Sequence, residues 1–187
     1  MTDFQEFTFL SSDGHTQLHG AQWTPADREP IAVLQIAHGV AEHILRYDDF
    51  ARYLNDRGIL VAGHDHLGHG KSLPEGGTPV YFGDGSTWET VVDDIHLLHD
   101  RLREQYPDLP ILLMGHSMGS FLLRTYLYTY PDAVDKAVIS GTGWEDPMKV
   151  RMGKLVCKLE QARIGEKNTS ALVKKLMFGS YNKAFGP

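Results

Sequence analysis

The stretch ILLMGHSMG, residues 111–119, restricts this chain more than any other. Four apolar residues run into Gly115. Ser117 stands two positions on, and after Met118 and Gly119 an apolar run, SFLLRTYLYTY, continues until Pro131 stops it. A buried strand must therefore turn at once into a helix, with Ser117 at the bend. A turn this tight brings strand and helix close together, so side chains at 115 and 119 would clash. The helix starting at Met118 points backbone N–H groups and a positive dipole end at the serine. In this setting Gly115-His116-Ser117-Met118-Gly119 favours a nucleophilic serine over the commoner role of serine as a helix N-cap.

The rest of the chain fits the layers that such a bend requires. EFTFLSS alternates Phe7 and Phe9 with polar neighbours, Asp13-Gly14 is a turn, and QLHGAQW returns, which predicts a hairpin. IAVLQIAHG, ILVAGH and KAVISG are near-continuous apolar runs, as expected of strands buried on both faces of a parallel sheet. A helix is predicted over Tyr47–Arg57, stopped by Gly58. Another carries Trp88, Val91, Val92, Ile95, Leu98 and Leu102 at helical spacing, opened by a capping box of Ser86 and Glu89. The helix after Ser117 is apolar nearly all round and so is expected inside the protein. Residues 71–85 read as loop. Strands alternating with helices after a hairpin give an α/β fold, its sheet mostly parallel with an antiparallel N-terminal edge. Residues 1–143 form this core. Residues 144–187 begin something different. Met148, Met152, Leu155, Leu159 and Ala162 line one face of a basic amphipathic helix, and Leu172, Val173, Leu176 and Met177 suggest a shorter one.

The 187 residues are enough for one domain or part of a larger one, and 42% apolar with 22% charged residues suits a soluble globular protein. Cys157 is the only cysteine, so no disulfide is expected within the chain, in keeping with a reducing compartment. MTDFQEFTFL lacks a basic start and apolar run, and no stretch approaches the roughly 18 apolar residues of a membrane span. The expected location is cytoplasmic. Residues 1–146 hold 9 Lys+Arg against 22 Asp+Glu, whereas residues 147–187 hold 9 against 2. The acidic body argues against nucleic acid as a partner. The basic segment is either a solvated helical face or a surface that meets anionic lipid headgroups or an acidic partner.

Two further stretches carry chemistry. HGVAEH, residues 38–43, ends a buried strand where a loop can aim backbone N–H groups at a developing oxyanion; a plain turn is the alternative. HDHLGHGKS, residues 64–72, gathers His64, Asp65, His66 and His69. If the strand continues, His64 and His66 point to opposite sides and no second ligand cluster is evident, so neither metal nor cofactor is expected.

Taken in order, HGVAEHILRYDDFA, HDHLGHGKS and GHSMGS resemble the monoacylglycerol lipase and lysophospholipase group of α/β-hydrolases, also filed as serine aminopeptidase S33-like. The resemblance runs from about Phe7 to the end of the chain. It implies an α/β-hydrolase fold of eight strands with a helical lid inserted after the sixth. It also implies hydrolysis of monoacylglycerols, lysophospholipids or similar small esters through an acyl-enzyme. Ser117 would be the nucleophile, with the N–H groups of Val40 and Met118 as the oxyanion hole. His38, Gly39, Glu42, His43, Asp65, His69, Gly115, His116 and Gly119 would shape the site. HGVAEH lacks the glycine-proline oxyanion segment of the proline iminopeptidase relatives, which counts against an S33-type aminopeptidase.

The resemblance also calls for an acid and then a histidine after the nucleophile. The last of the ten histidines is His116. None of the later acids, Asp132, Asp135, Glu145, Asp146, Glu160 and Glu166, sits at the end of a further buried strand. His116 should point away from Ser117, and His38 lacks an acid to orient it. The expectation is an N-terminal portion of a chain of roughly 300 residues, cut after strand six and the start of the lid, and nearly inert alone. The alternative is a non-catalytic binding or partner protein.

Overall fold

The computed structural model describes residues 1–165 and 167–179; Glu166 and the side chain of Met177 lie outside the described residues. The chain divides into two compact units, Met1–Thr142 and a second starting at Gly143.

The first unit is built on six strands: β1 (Thr2–Leu10), β2 (Gln17–Pro25), β3 (Ala32–Ala37), β4 (Ile59–His64), β5 (Ile111–His116) and β6 (Lys136–Ser140). They lie in the order β1-β2-β4-β3-β5-β6. The hairpin β1–β2 is antiparallel and joins β4 antiparallel; β4, β3, β5 and β6 run parallel. Its turn is closed by the Ser11 N–H donating to the Thr16 carbonyl at 2.8 Å. The central strands carry the continuous apolar runs because both their faces are covered. On one face Leu18, Ala37 and Leu113 pack with α2 (Trp88–Gln105) and α3 (Met118–Thr129) through Val91, Ile95, Leu122 and Tyr126. On the other, Trp23, Leu34, Ile36 and Val61 pack with Ile44 and with Ala51 of α1 (Asp48–Asn55). Each fully buried Leu or Ile here contributes about 2 kcal/mol.

The chain leaves β3 toward β4 on one side and returns through β5 on the other. The crevice at the carboxyl ends of β3 and β5 is thus a topological switch point, the usual ligand position in an open α/β sheet.

Four expectations change. KAVISG forms β6 but is an edge strand of the described sheet, and Val138 and Ile139 are each 44% exposed. An apolar run marks β propensity and burial capacity, not rank within the sheet. α3 is buried on one face only, and its Tyr128 is 89% exposed. The capping box at the start of α2 is Thr87 with Thr90: Thr87 is extended, its hydroxyl accepts the Thr90 N–H, and Thr90 Oγ1 accepts the Thr87 N–H. The stretch expected as one helix over Tyr47–Arg57 is a 3-10 turn, Ile44–Tyr47, followed by α1.

The second unit holds α4 (Pro147–Ile164) and α5 (Ala171–Phe178). Asp146 caps α4 and Ser170 caps α5 through their side-chain oxygens. Glu160 ties the two helices, accepting from Arg163 and from the Ser170 hydroxyl, and these bonds hold its carboxyl down to about 2.

Candidate active site

Ser117 sits between β5 and α3 with φ 52° and ψ −116°. A left-handed φ is unfavourable for any residue with a Cβ, so the bend is strained. The contacts explain why it persists. A Cβ on Gly115 would stand 2.3 Å from the Gly119 carbonyl oxygen, and one on Gly119 would stand 2.0 Å from that of Ala37. The two glycines let strand β5, helix α3 and strand β3 meet at backbone distance. Ser117 donates its own N–H to the Ser140 carbonyl at 3.0 Å, and its carbonyl accepts from both the N–H and the hydroxyl of Ser120. Its hydroxyl makes no capping bond to α3.

The loop after β3 lies directly beside it. A Cβ built on Gly39 would be 3.2 Å from the Ser117 Cβ. Side chains hold this loop from several directions. The Gly39 N–H donates to Glu42 Oε1 at 2.5 Å, and the Tyr47 hydroxyl donates to the same oxygen at 2.9 Å. Arg46 pairs with the other oxygen at 3.3 Å. Burial and the bond to Glu42 push the Tyr47 hydroxyl well above its usual range, so it stays a donor. His38 accepts the His66 N–H through Nε2 at 3.0 Å, so its Nδ1 carries the proton and donates to the Gly39 carbonyl at 2.7 Å. Burial keeps this ring neutral, down to about 4. His69 Nε2 lies 2.9 Å from the Val40 carbonyl.

Asp65 fastens the loops from below. It is buried; Oδ1 accepts the Ile44 N–H at 2.7 Å, and Oδ2 accepts the Lys71 N–H at 2.8 Å and lies 2.9 Å from His19 Nδ1. His19 meets Glu6 on its other side at 2.5 Å, and Glu6 also pairs with Lys71.

The expected separation of His64 and His66 is not found. Residues two apart on a strand share a face, so alternation would not separate this pair, and β4 in any case ends at His64. Their ring centroids lie 5.1 Å apart, and His66 lies 4.1 Å from His38. Burial lowers both, His64 to about 3. Among the described residues no group of three or more His, Cys, Asp or Glu is placed to hold a metal ion. His43 is exposed and contributes only its carbonyl, to the Arg46 N–H. His116 Nδ1 meets Ser140 Oγ at 3.3 Å. Among the described residues no histidine is hydrogen-bonded to the Ser117 hydroxyl.

Glu42, Arg46, Tyr47, Phe50, Met114, His116 and Ser140 line an open cavity of about 390 Å³ that begins at the residue before Ser117. Its wall is apolar at Phe50 and Met114 and charged at Glu42 and Arg46.

Residues 28–180 match the family model described as serine aminopeptidase, S33. The chain belongs to this family. It is 36% identical over 142 residues to the monoacylglycerol lipase of Mycolicibacterium smegmatis, covering 73% of this chain and 48% of that one. It is 37% identical over 116 residues to the monoglyceride lipase of Mus musculus, covering 62% and 36%. The crystal structure of a thermostable carboxyl esterase from Bacillus coagulans, in complex with glycerol, superposes with a TM-score of 0.79 at 32% identity, over 95% of this chain and 56% of that one. This S33 member therefore spans about a third to a half of the length of these curated relatives. Its fold is that of the α/β-hydrolases, with the hairpin and parallel strands in place.

Sequence reasoning missed His19 in this family member, and misjudged His64 and His66. His19 reaches Asp65 across 46 residues of sequence through strand pairing, and no local pattern announces such a bond. For His64 and His66 the signal was present, five histidines within two short motifs, but parity was misapplied, because residues two apart on a strand share a face.

Proposed function

We propose that this chain carries the nucleophile and oxyanion half of a serine ester hydrolase acting on monoacylglycerols, lysophospholipids or similar single-chain esters. The observation that carries the reading is Ser117 itself: held at φ 52°, uncapped, and against the Gly39 loop. Strain of this kind persists where the surroundings enforce it, and it clusters at reactive residues. Ser117 Oγ attacks the ester carbonyl, and its proton passes to a base. The N–H groups of Val40 and Met118 receive the oxyanion, the alcohol leaves, and water releases the acyl group. The cavity beside His116 offers an apolar wall at Phe50 and Met114 and hydrogen-bonding groups at Arg46, Glu42 and Tyr47. Its volume lies within the range of small-ligand sites. The relatives named as lipases and esterases support ester rather than peptide substrates.

The base is the missing part. Both nitrogens of His38 are committed to backbone groups, and Nδ1 of His116 meets Ser140. Loss of a triad member costs roughly four orders of magnitude in rate. The chain alone is therefore nearly inert, and the acid and histidine come from further sequence, as the resemblance implies. In the second unit Met148, Met152, Leu155 and Leu159 are each at least 50% exposed on a basic helix. Such a helix suits a lid that touches substrate or an anionic membrane surface from the cytoplasmic side. No helix among the described residues is long and apolar enough to cross a membrane.

The test is labelling by a fluorophosphonate with the modified residue identified by mass spectrometry, together with p-nitrophenyl ester turnover. Slow labelling at Ser117, lost in Ser117→Ala, is expected of this chain. Labelling at another residue, or ester turnover unchanged by Ser117→Ala, overturns the assignment.

A further inference from the structure

Both ring nitrogens of His69 face carbonyl oxygens: Nδ1 lies 2.8 Å from Leu67 O and Nε2 lies 2.9 Å from Val40 O. A carbonyl oxygen only accepts. A neutral imidazole can donate to one of the two and must turn a lone pair toward the other, whereas the imidazolium donates to both. His69 is only 4% exposed, so bulk water has little access to relieve the mismatch.

The two carbonyls belong to different loops. Leu67 follows β4 and Val40 follows β3, so the ring staples the loop at the end of one parallel strand to that of its neighbour. The position of the Val40 contact matters most. His38 Nδ1 donates to Gly39 O, which is on the same peptide unit as the Val40 N–H. His69 holds Val40 O, on the next peptide unit. The two peptide planes that meet at the Val40 α-carbon are each pinned by an imidazole, one from the loop's own His38 and one from His69 of the neighbouring loop, so both dihedrals of Val40 are set by side chains. A loop residue whose N–H must meet an oxyanion to within a few tenths of an ångström needs this kind of fixation.

The surroundings allow one cation. From the loop after β3 the ring faces His38 with centroids 5.3 Å apart, from its own loop His66 at 6.3 Å, and from the segment after residue 80 the uncharged Phe82 at 6.5 Å. The carboxylates of Asp65 and Glu42 act on the adjoining His38. His38 and His66 are both kept neutral by burial, so a proton on His69 meets no like charge in the cluster.

We propose that His69 is a positioning residue of the ester hydrolysis, acting as a doubly protonated clamp that fixes the Val40 peptide for oxyanion binding. This rests on the reading of Val40 as an oxyanion donor, and the clamp is tested apart from that reading. The experiment is NMR of the whole chain carrying ¹⁵N-histidine and backbone ¹⁵N label, near neutral pH, as wild type, His69→Gln and His69→Leu. Gln keeps one donor for Val40 O; Leu keeps none.

The wild type is expected to show N–H signals on both ring nitrogens of His69, a pair lost in both variants and so told apart from any signals of His19, whose two ring nitrogens face the carboxylates of Asp65 and Glu6. The amide signals of Gly39, Val40 and Ala41 stay in place in His69→Gln and shift or broaden in His69→Leu, with the Trp23 indole as the control for folding. A His69 ring with a single N–H overturns the clamp, as do unmoved loop amides in a folded His69→Leu. If His69→Leu does not fold, the wild-type ring signals and His69→Gln still decide. Fluorophosphonate labelling of Ser117 in the same samples separates the two ideas. A rate at least about tenfold lower in His69→Leu than in wild type is expected. An unchanged rate with displaced loop amides ends the positioning role, whereas no labelling of any form beside an intact ring signature removes the hydrolase reading and leaves the clamp.

Discussion

His38 accepts the backbone N–H of His66 through Nε2 at 3.0 Å, which leaves the ring no room for a second proton. Together with His64 and His66 it gives the protein a set of buried imidazoles that resist protonation, His38 to about 4 and His64 to about 3. The consequence for stability has a definite sign. Below about pH 6.5 the unfolded chain takes up protons at these positions and the folded chain does not, so stability falls as pH falls. The loss runs from about 6.5 down to about 4, where His38 itself titrates, and each group contributes up to about 1.4 kcal/mol per pH unit. The carboxylates held low by their partners, such as Glu6 and Asp48, matter only at more acid pH, and Asp94, raised by burial, acts in the opposite sense there. Urea titrations at pH 7.5 and pH 5 should show a clear drop in midpoint. A midpoint independent of pH across that interval would mean the imidazoles are already solvated.

Asp65 collects the loop after β3, the loop after β4 and the N-terminal hairpin on one buried carboxylate. Asp65→Ala strands the N–H groups of Ile44 and Lys71 and removes the partner of His19. Unpaired buried donors are costly, and a loss of about 3 kcal/mol is expected. Asp65→Asn should fall between, because Oδ1 can still accept from Ile44 while an amide nitrogen opposes the Lys71 N–H. Denaturant midpoints of the three forms give the order. An Asp65→Ala protein as stable as wild type would show that the carboxylate is not the fastening point.

The strain at Ser117 predicts a stability that runs against function. Glycine reaches φ 52° without the Cβ penalty, while alanine does not. Ser117→Gly is expected to be more stable than Ser117→Ala by about 1 kcal/mol after allowing for the greater freedom of the unfolded glycine chain. Thermal midpoints compare them directly. Equal midpoints would place the cost of the bend elsewhere.

Much of this architecture is legible in the sequence because parallel strands covered on both faces must be continuously apolar, and glycines must stand where backbones touch. IAVLQIA, ILVAGH and ILLMG are read this way, as are Gly115 and Gly119. KAVISG shows the limit: its residues have strand propensity, but only the pairing order makes it an edge. Phe121 and Tyr128 show another, since an aromatic residue on a helix can stand in solvent. In the site, the motifs name Glu42, Asp65 and His69, but not what each holds. The bonds from Glu42 to Gly39 and from His69 to Val40 depend on where two loops meet, and the His19–Asp65 contact depends on the antiparallel joining of β2 to β4. These are products of long-range register, which local periodicity does not encode.

Among the described residues Val80 is the other non-glycine residue with a left-handed backbone, φ 66°. A β-branched side chain is poorly suited to that region. The conformation is held by its N–H, which donates to the Gly68 carbonyl at 2.9 Å, and by the close seating of Tyr81 on Gly68. The Val80 side chain offers little in return, since the residue is 47% exposed. Asparagine tolerates the left-handed region and does not add the unfolded-state freedom of glycine. Val80→Asn is therefore expected to stabilise the protein by about 1 kcal/mol without touching Ser117. A lower thermal midpoint for Val80→Asn would show that the half-buried isopropyl group contributes more by packing than its backbone costs in strain.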